Sequence, residues 1–176
     1  HELRHPGSIV RFASKSGPLS VEREGALLAL DFPARPAVPC EAPAGLFAAL
    51  GCSPRPVSKA RDHMVVFDRA AEVRALEPDF AALAKVEMFG LIATAPGDDV
   101  DFVSRFFTPA AGIPEDPVTG SAHCTLVPYW AARLAKKALT ARQVSRRGGD
   151  LVCEDLGARV RIAGRAVLVL QGTYCL

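Results

Sequence analysis

The chain has no run of 18 or more apolar residues, which excludes a membrane-spanning helix. It also lacks a charge of one sign. Its 21 Lys+Arg stand against 19 Asp+Glu, a formal net charge of +2 over 176 residues. A nucleic-acid binder usually carries a dense basic stripe, and this balance provides none. With 49% hydrophobic and 23% charged residues, the chain is too apolar and too evenly charged to be disordered. No C-x-x-C pair, no G-x-G-x-x-G and no G-x-x-x-x-G-K-[ST] occurs, so dinucleotide and P-loop chemistry have no support. What remains is a globular protein of one domain or a little more. A chain of this length can bury roughly 70% of its unfolded surface, so it needs no disulfide or metal staple.

The five cysteines are Cys40, Cys52, Cys124, Cys153 and Cys175. An odd count in a chain with a sufficient core reads as reduced thiols, hence a cytoplasmic protein. His123 and Cys124 are adjacent and the other Cys and His are dispersed, so no metal site is expected. The opening His1-Glu2-Leu3-Arg4-His5-Pro6 has no basic region followed by an apolar one and is not a signal peptide. It also has no initiating methionine, so a processed, cloned or truncated product is expected.

Period-two alternation predicts strands over 8–16, 19–22 and 27–32, with a hairpin at Glu24-Gly25. Pro33, Pro36, Pro39 and Pro43 then predict an extended linker and a domain boundary, because proline removes a ladder donor. A short helix is expected over 44–50, stopped by Gly51, and a buried strand over 63–67. Short helices follow over 70–76 and 80–86, then strands over 90–94 and 100–107. The longest helix is predicted over 121–136. Its Ala122, Leu126, Trp130 and Leu134 share one face, and Pro128 predicts a bend or an irregular turn. Residues 144–145, 151–154, 159–162 and 166–170 read as β segments. Strands thus dominate around one long helix. That order predicts an α+β fold, a curved, mostly antiparallel, barrel-like sheet around a central helix, rather than alternating βαβ units.

Chemistry is most concentrated where a strand ends at Phe107 and the long helix begins. Between them lies Thr108-Pro109-Ala110-Ala111-Gly112-Ile113-Pro114-Glu115-Asp116-Pro117-Val118-Thr119. Gly120 lets the backbone approach a ligand, and the free N–H groups of Gly120, Ser121 and Ala122 would face it. Unpaired donors at the positive end of a helix dipole make an anion site that suits a small carboxylate. Asp116 sits one loop step earlier, and Ser121 and His123 add a hydroxyl and an imidazole. Plainer roles stand beside these: Thr119 or Ser121 as a helix cap, Asp116 as a turn former, His123 as a core histidine. Glu115 and Asp116 are neighbours that would diverge. Ser121 and His123 would point apart on a helix and form no nucleophile–base pair. Asp62-His63 has the chemistry of a switch or an acid–base pair, but the apolar run that follows favours a strand edge, and Arg146-Arg147 is read as a solvated strand end.

The run S-R-F-F-T-P-A-A-G-I-P-E-D-P-V-T-G-S-A-H-C resembles the C-terminal half of the phenazine-biosynthesis (PhzF-like) family, which has the diaminopimelate-epimerase-like fold. The later Q-V-S-R-R-G-G-D-L-V-C-E-D and R-V-R-I-A-G-R-A-V-L-V-L-Q-G-T are similar to that family's closing strands. The resemblance implies two similar lobes with the active site between them. It implies a cofactor-free isomerase or epimerase that moves a proton on a small carboxylate by acid–base catalysis. Asp116 would hydrogen-bond the substrate or relay a proton. Gly120 and Ser121, with Thr119 and Ala122 beside them, would hold the substrate, and His123 belongs to the same motif. The family's first lobe supplies the glutamate that is the principal acid/base, and no counterpart is found in these residues. Residues 1–35 are therefore expected to be a remnant of the first lobe and 36–176 the second lobe, leaving open that the last strands return to the first. The expectation is a chain inactive or feeble alone. The alternative is a carboxylate-binding or oligomerisation module, with a homodimer as the expected assembly and no nucleic-acid or membrane partner.

Overall fold

Alternating and continuous apolar runs make strands the dominant regular element among the described residues. A computed structural model describes residues 7–15, 17–170 and 172. The first strands, β1 (Ile9–Ser14), β2 (Gly17–Glu24) and β3 (Leu27–Pro33), form a meander. Next come β4 (Val38–Cys40), the short helix α1 (Leu46–Leu50), β5 (Val57–Lys59) and β6 (His63–Val66). Two further short helices, α2 (Ala70–Arg74) and α3 (Phe80–Leu83), lead to β7 (Leu91–Pro96) and β8 (Phe102–Thr108). A single 3-10 turn over Pro109–Ala111 reverses the chain into β9 (Ile113–Asp116), which pairs back on β8. The long helix α4 (Gly120–Leu134) and β10 (Ala138–Gln143), β11 (Gly149–Asp155) and β12 (Arg159–Gly164) complete the order.

All of these strands join one mixed sheet in the order β1-β2-β3-β12-β11-β10-β8-β7-β6-β5-β4, with β9 off the path on β8. Two pairs are parallel, β6 with β7 and β8 with β10, and the rest are antiparallel. Parallel neighbours need a crossover. α2 and α3 provide one, and β9 with α4 the other, so the mostly antiparallel sheet contains two crossovers. The central strands are apolar on both sides. Val65, Leu91, Ala93, Val103 and Phe107 pack with α1, α2 and α3. Met64, Ile92, Phe102, Phe106, Leu139 and Ile162 pack with α4. This explains why residues 91–96 and 102–107 read as near-continuous hydrophobic runs.

Two features seat α4. Trp130 is fully buried and stacks on Phe102, with ring centroids 5.7 Å apart and planes at 4°. Its Nε1 donates to Thr94 Oγ1 at 3.0 Å, and that hydroxyl donates to Val103 O at 2.7 Å. The second feature is Pro128. The helix continues through it unbroken, so of the bend or irregular turn expected, the irregular turn is absent. Proline lacks the N–H that would bond the carbonyl four residues earlier. That carbonyl, Cys124 O, instead accepts from Arg35 N at 2.8 Å, tying the segment after β3 to the helix.

Several expectations need correction. The proline-rich stretch is not wholly a linker: Pro33 ends β3, and Pro39 lies in β4 at the sheet edge, where a missing donor costs no ladder bond. The strand expected at 144–145 is displaced, because β10 ends at Gln143. Residues 166–170 form no strand, and Val167 and Val169 are 83% and 89% exposed. The strands β1–β3 continue the same sheet through antiparallel β3–β12 pairing. Cys175 and His1 to Pro6 lie outside the described residues.

The Thr94 bridge gives a stability test. Thr94→Val keeps the shape and leaves the buried Trp130 N–H without its acceptor. Urea unfolding should show a loss of about 1–3 kcal/mol. An unchanged midpoint would show that the bridge does not help seat α4.

Candidate active site

The segment from Asp116 to His123 is held by a side chain that the sequence reading did not single out. Gln143, fully buried at the end of β10, accepts from Thr119 N through Oε1 at 2.8 Å. Its Nε2 donates to Asp116 O at 2.6 Å and to Thr119 Oγ1 at 3.1 Å. The Thr119 hydroxyl donates in turn to Asp116 Oδ2 at 2.6 Å. Thr119 is the N-cap residue of α4, yet its side chain makes no capping bond. Its oxygen is already committed to Gln143 and Asp116. A signal for Gln143 existed: Leu139 and Ala141 face inward at period two in β10, so a polar residue at the next inward position needs buried partners.

The amides of Gly120, Ser121 and Ala122 consequently have no acceptor among the described residues, and the first helical bond is His123 N to Thr119 O at 3.4 Å. Gly120 and Ser121 are half-buried and Ala122 is buried. Ser121 Oγ accepts from Arg61 Nη2 at 3.1 Å. The floor is set by close packing. A Cβ on Gly149 would come 2.6 Å from Val118 Cγ2, so glycine there lets the loop lie on the start of β11.

Asp116 and Glu115 do diverge, as successive strand residues must. Glu115 forms a two-bond pair with Arg105, at 2.7 and 2.9 Å. Arg105 Nη1 also donates to Leu76 O at 2.6 Å beyond α2, so β9 is clamped to β8 from the side opposite the helix start. Asp116 is half-buried and turns toward Thr119. Two clefts flank this segment: one of about 880 Å³ bordered by Val118, Gly149 and Asp150, another of about 660 Å³ bordered by Glu115, Pro117 and Arg146.

His123 lies beneath the helix start. It is fully buried, 6.0 Å from the Phe102 ring centre. Its Nδ1 is 2.8 Å from Thr119 O, so Nδ1 carries the proton and donates. Nε2 has no partner among the described residues. Burial pushes its pKa down to about 4, against the small upward pull of the Thr119 bond. Burial also raises the Cys124 thiol. Neither group is charged at neutral pH. His63, beside the buried Asp62, is likewise lowered by burial and then by Lys59, with Asp62 acting the other way. Arg146 and Arg147 are exposed beyond the end of β10. No cluster of three or more His, Cys, Asp or Glu that could hold a metal ion occurs among the described residues. The opening His1-Glu2-Leu3-Arg4-His5 has H-E-x-x-H spacing and lies outside them.

Residues 19–172 match the family model described as phenazine biosynthesis-like protein. The chain belongs to that family. It is 49% identical over 173 residues to an uncharacterized isomerase of Pseudomonas aeruginosa, covering 98% of this chain and 67% of the relative. A second uncharacterized isomerase of that organism is 53% identical over 168 residues, covering 95% and 64%. The crystal structure of a PhzF-family phenazine biosynthesis protein from Enterococcus faecalis superposes with a TM-score of 0.91 at 41% identity, over 99% of this chain and 67% of that one. The chain thus spans about two thirds of the length of these family members.

The buried imidazole has a pH consequence. In the fold the His123 pKa falls to about 4 from the usual imidazole value of 6.5. The unfolded chain therefore binds the extra proton first. The stability is fully present above pH 6.5 and is lost as pH falls toward 4, a loss of about 3 kcal/mol by pH 4. His123→Asn keeps a donor for Thr119 O but cannot titrate. Denaturant unfolding from pH 7 to 4 should fall more steeply for the parent chain than for this variant. Parallel profiles would show that the ring is solvated.

Proposed function

We propose that this chain forms one wall of the active site of a cofactor-independent isomerase or epimerase, which moves a proton on a small carboxylate-bearing substrate. The supporting observation is the uncapped start of α4, whose three amides stand open while the adjacent Thr119 hydroxyl is bonded elsewhere. A carboxylate is an anion that such amides and the helix dipole stabilise. In this reading Gly120, Ser121 and Ala122 hold the carboxylate, and the Ser121 hydroxyl adds a further hydrogen bond. Asp116, oriented by Thr119, hydrogen-bonds the substrate or relays a proton. His123 acts from below by donating to Thr119 O, and its part is to position the turn.

The general acid/base must reach the moving proton at hydrogen-bond distance. The family resemblance puts that glutamate in the first lobe. We therefore read residues 1–35 as the closing part of that lobe, residues 36–176 as the second lobe with its sheet curved around α4, and the chain alone as feeble. The exposed apolar residues between Ala166 and Leu170 favour a dimer, since such patches tend to find partners. No helix among the described residues is long and apolar enough to cross a membrane. Cys40, Cys52, Cys124 and Cys153 are free thiols, which suits a cytoplasmic protein. A second reading, a binding module without chemistry, rests on the neutral state of His123 and Cys124 at the helix start.

Isomerisation can be read as deuterium uptake from heavy water into small carboxylates. The 176-residue chain should exchange at near-background rates. Full turnover that disappears in Asp116→Ala would show that the chain carries its own acid and base, and would overturn the proposed inactivity.

A further inference from the structure

We infer that Arg61 is a substrate-recognition residue that binds the carboxylate alongside the amides of α4. This rests on the reading that a carboxylate docks at the helix start, and it names the side chain that selects it. Arg61 lies in the turn between β5 and β6, 60 residues before Ser121 in sequence. Its Nη2 donates to Ser121 Oγ at 3.1 Å. Its Nε donates to Asp62 Oδ2 at 3.1 Å and Oδ1 at 3.3 Å. Its guanidinium carbon lies 4.8 Å from the centre of the Phe89 ring.

Three observations together point to a ligand. First, a cation is placed at the wrong end of a helix. The start of α4 is positive, so an arginine there is opposed by the dipole, and acids are the usual occupants. An incoming anion removes that opposition. Second, the guanidinium is held in place. The Asp62 carboxylate that grips it is 1% exposed, while the arginine side chain is 40% exposed. Gly90 permits this placement, since a Cβ there would meet the Phe106 ring at 2.5 Å and Asp62 Oδ1 at 3.0 Å. Third, Asp62 and Ser121 use the Nε and Nη2 groups, and Nη1 has no partner among the described residues. A planar fork with one arm fixed and one arm open suits a carboxylate in a directed geometry.

The Arg61–Asp62 pair is neutral in sum, so its contribution is directional more than long-range. It should favour a carboxylate over an amide of the same shape. It should also lose most of its effect when arginine becomes lysine, which cannot grip Asp62 and reach outward in one plane.

The test is an NMR titration of the isotope-labelled 176-residue chain with benzoate, and with benzamide as the uncharged isostere. Benzoate should move the backbone amide signals of Gly120, Ser121 and Ala122, and benzamide should bind at least about tenfold more weakly. Arg61→Met should weaken benzoate about tenfold or more, with Arg61→Lys in between. Should Arg61→Met fail to fold because Asp62 is left alone, Arg61→Met/Asp62→Asn carries the same test with no unpaired buried charge. If benzoate leaves the three amides unmoved, the docking reading fails and this inference with it. If the amides respond but Arg61→Met binds benzoate as well as the parent does, the docking reading stands and the role of Arg61 is overturned. Equal binding of benzamide and benzoate also overturns it.

Discussion

The site depends on a hydroxyl that is used twice. Thr119 occupies the position from which threonine normally caps a helix, a contribution of about 1 kcal/mol. Here its oxygen accepts from Gln143 and donates to Asp116 instead. The helix forgoes its cap, and three amides are left without an acceptor among the described residues. The same two bonds hold the Asp116 carboxylate beside those amides. Gln143 reaches both strands of the turn because β10 runs parallel to β8, bringing the end of β10 beneath the β9–α4 junction. The openness of the helix start is thus a consequence of how the sheet is threaded.

Holding a helix end open requires the rest of the helix to be firmly seated. α4 presents Leu126 and Trp130 to one face of the sheet, and the Trp130–Thr94–Val103 chain of hydrogen bonds anchors its second half to β7 and β8. Pro128 releases one carbonyl, and Arg35 takes it. On the far side of the sheet, Arg105 and Glu115 lock β9. Together these contacts leave the first turn as the one part of α4 whose donors face outward.

The fold was legible where an apolar run or stripe was unbroken. Residues 91–95, 102–107 and the stripe Ala122, Leu126, Trp130 are such places, and the expected elements match β7, β8 and α4 to within a few residues. Short pieces were not legible. β4, β5 and β9 have three or four residues each, too few to show a period, and each contains or adjoins proline. β10 was missed because Lys136-Lys137 and Arg142 mask its alternation of Leu139, Ala141 and Gln143. Residues 166–170 show the opposite error. Their apolar run reads as a strand, but strand formation needs pairing with a neighbour, and residues 166–170 pair with no strand among the described residues. In the site, the motif around Asp116 and Gly120 could be read from one segment. Arg61 and Gln143 come from elsewhere, and only the three-dimensional pairing brings them in.

Burial decides which groups on this wall can handle a proton. His123 and Cys124 sit in the first two turns of α4 but lie inside, where losing hydration penalises their charged forms. The imidazole is held neutral, and the thiol stays protonated. Arginine does not give up its proton at all, so Arg61 can bind but not transfer. That leaves the half-buried Asp116 as the ionisable carboxyl group beside the open amides. A single acid can relay a proton or orient a substrate. An isomerisation that removes a proton and returns one at another position needs a second group, or a path by which the same group reaches both positions. A wall built from backbone donors, one carboxylate and one fixed cation therefore suits recognition and orientation of a substrate more than a complete proton transfer.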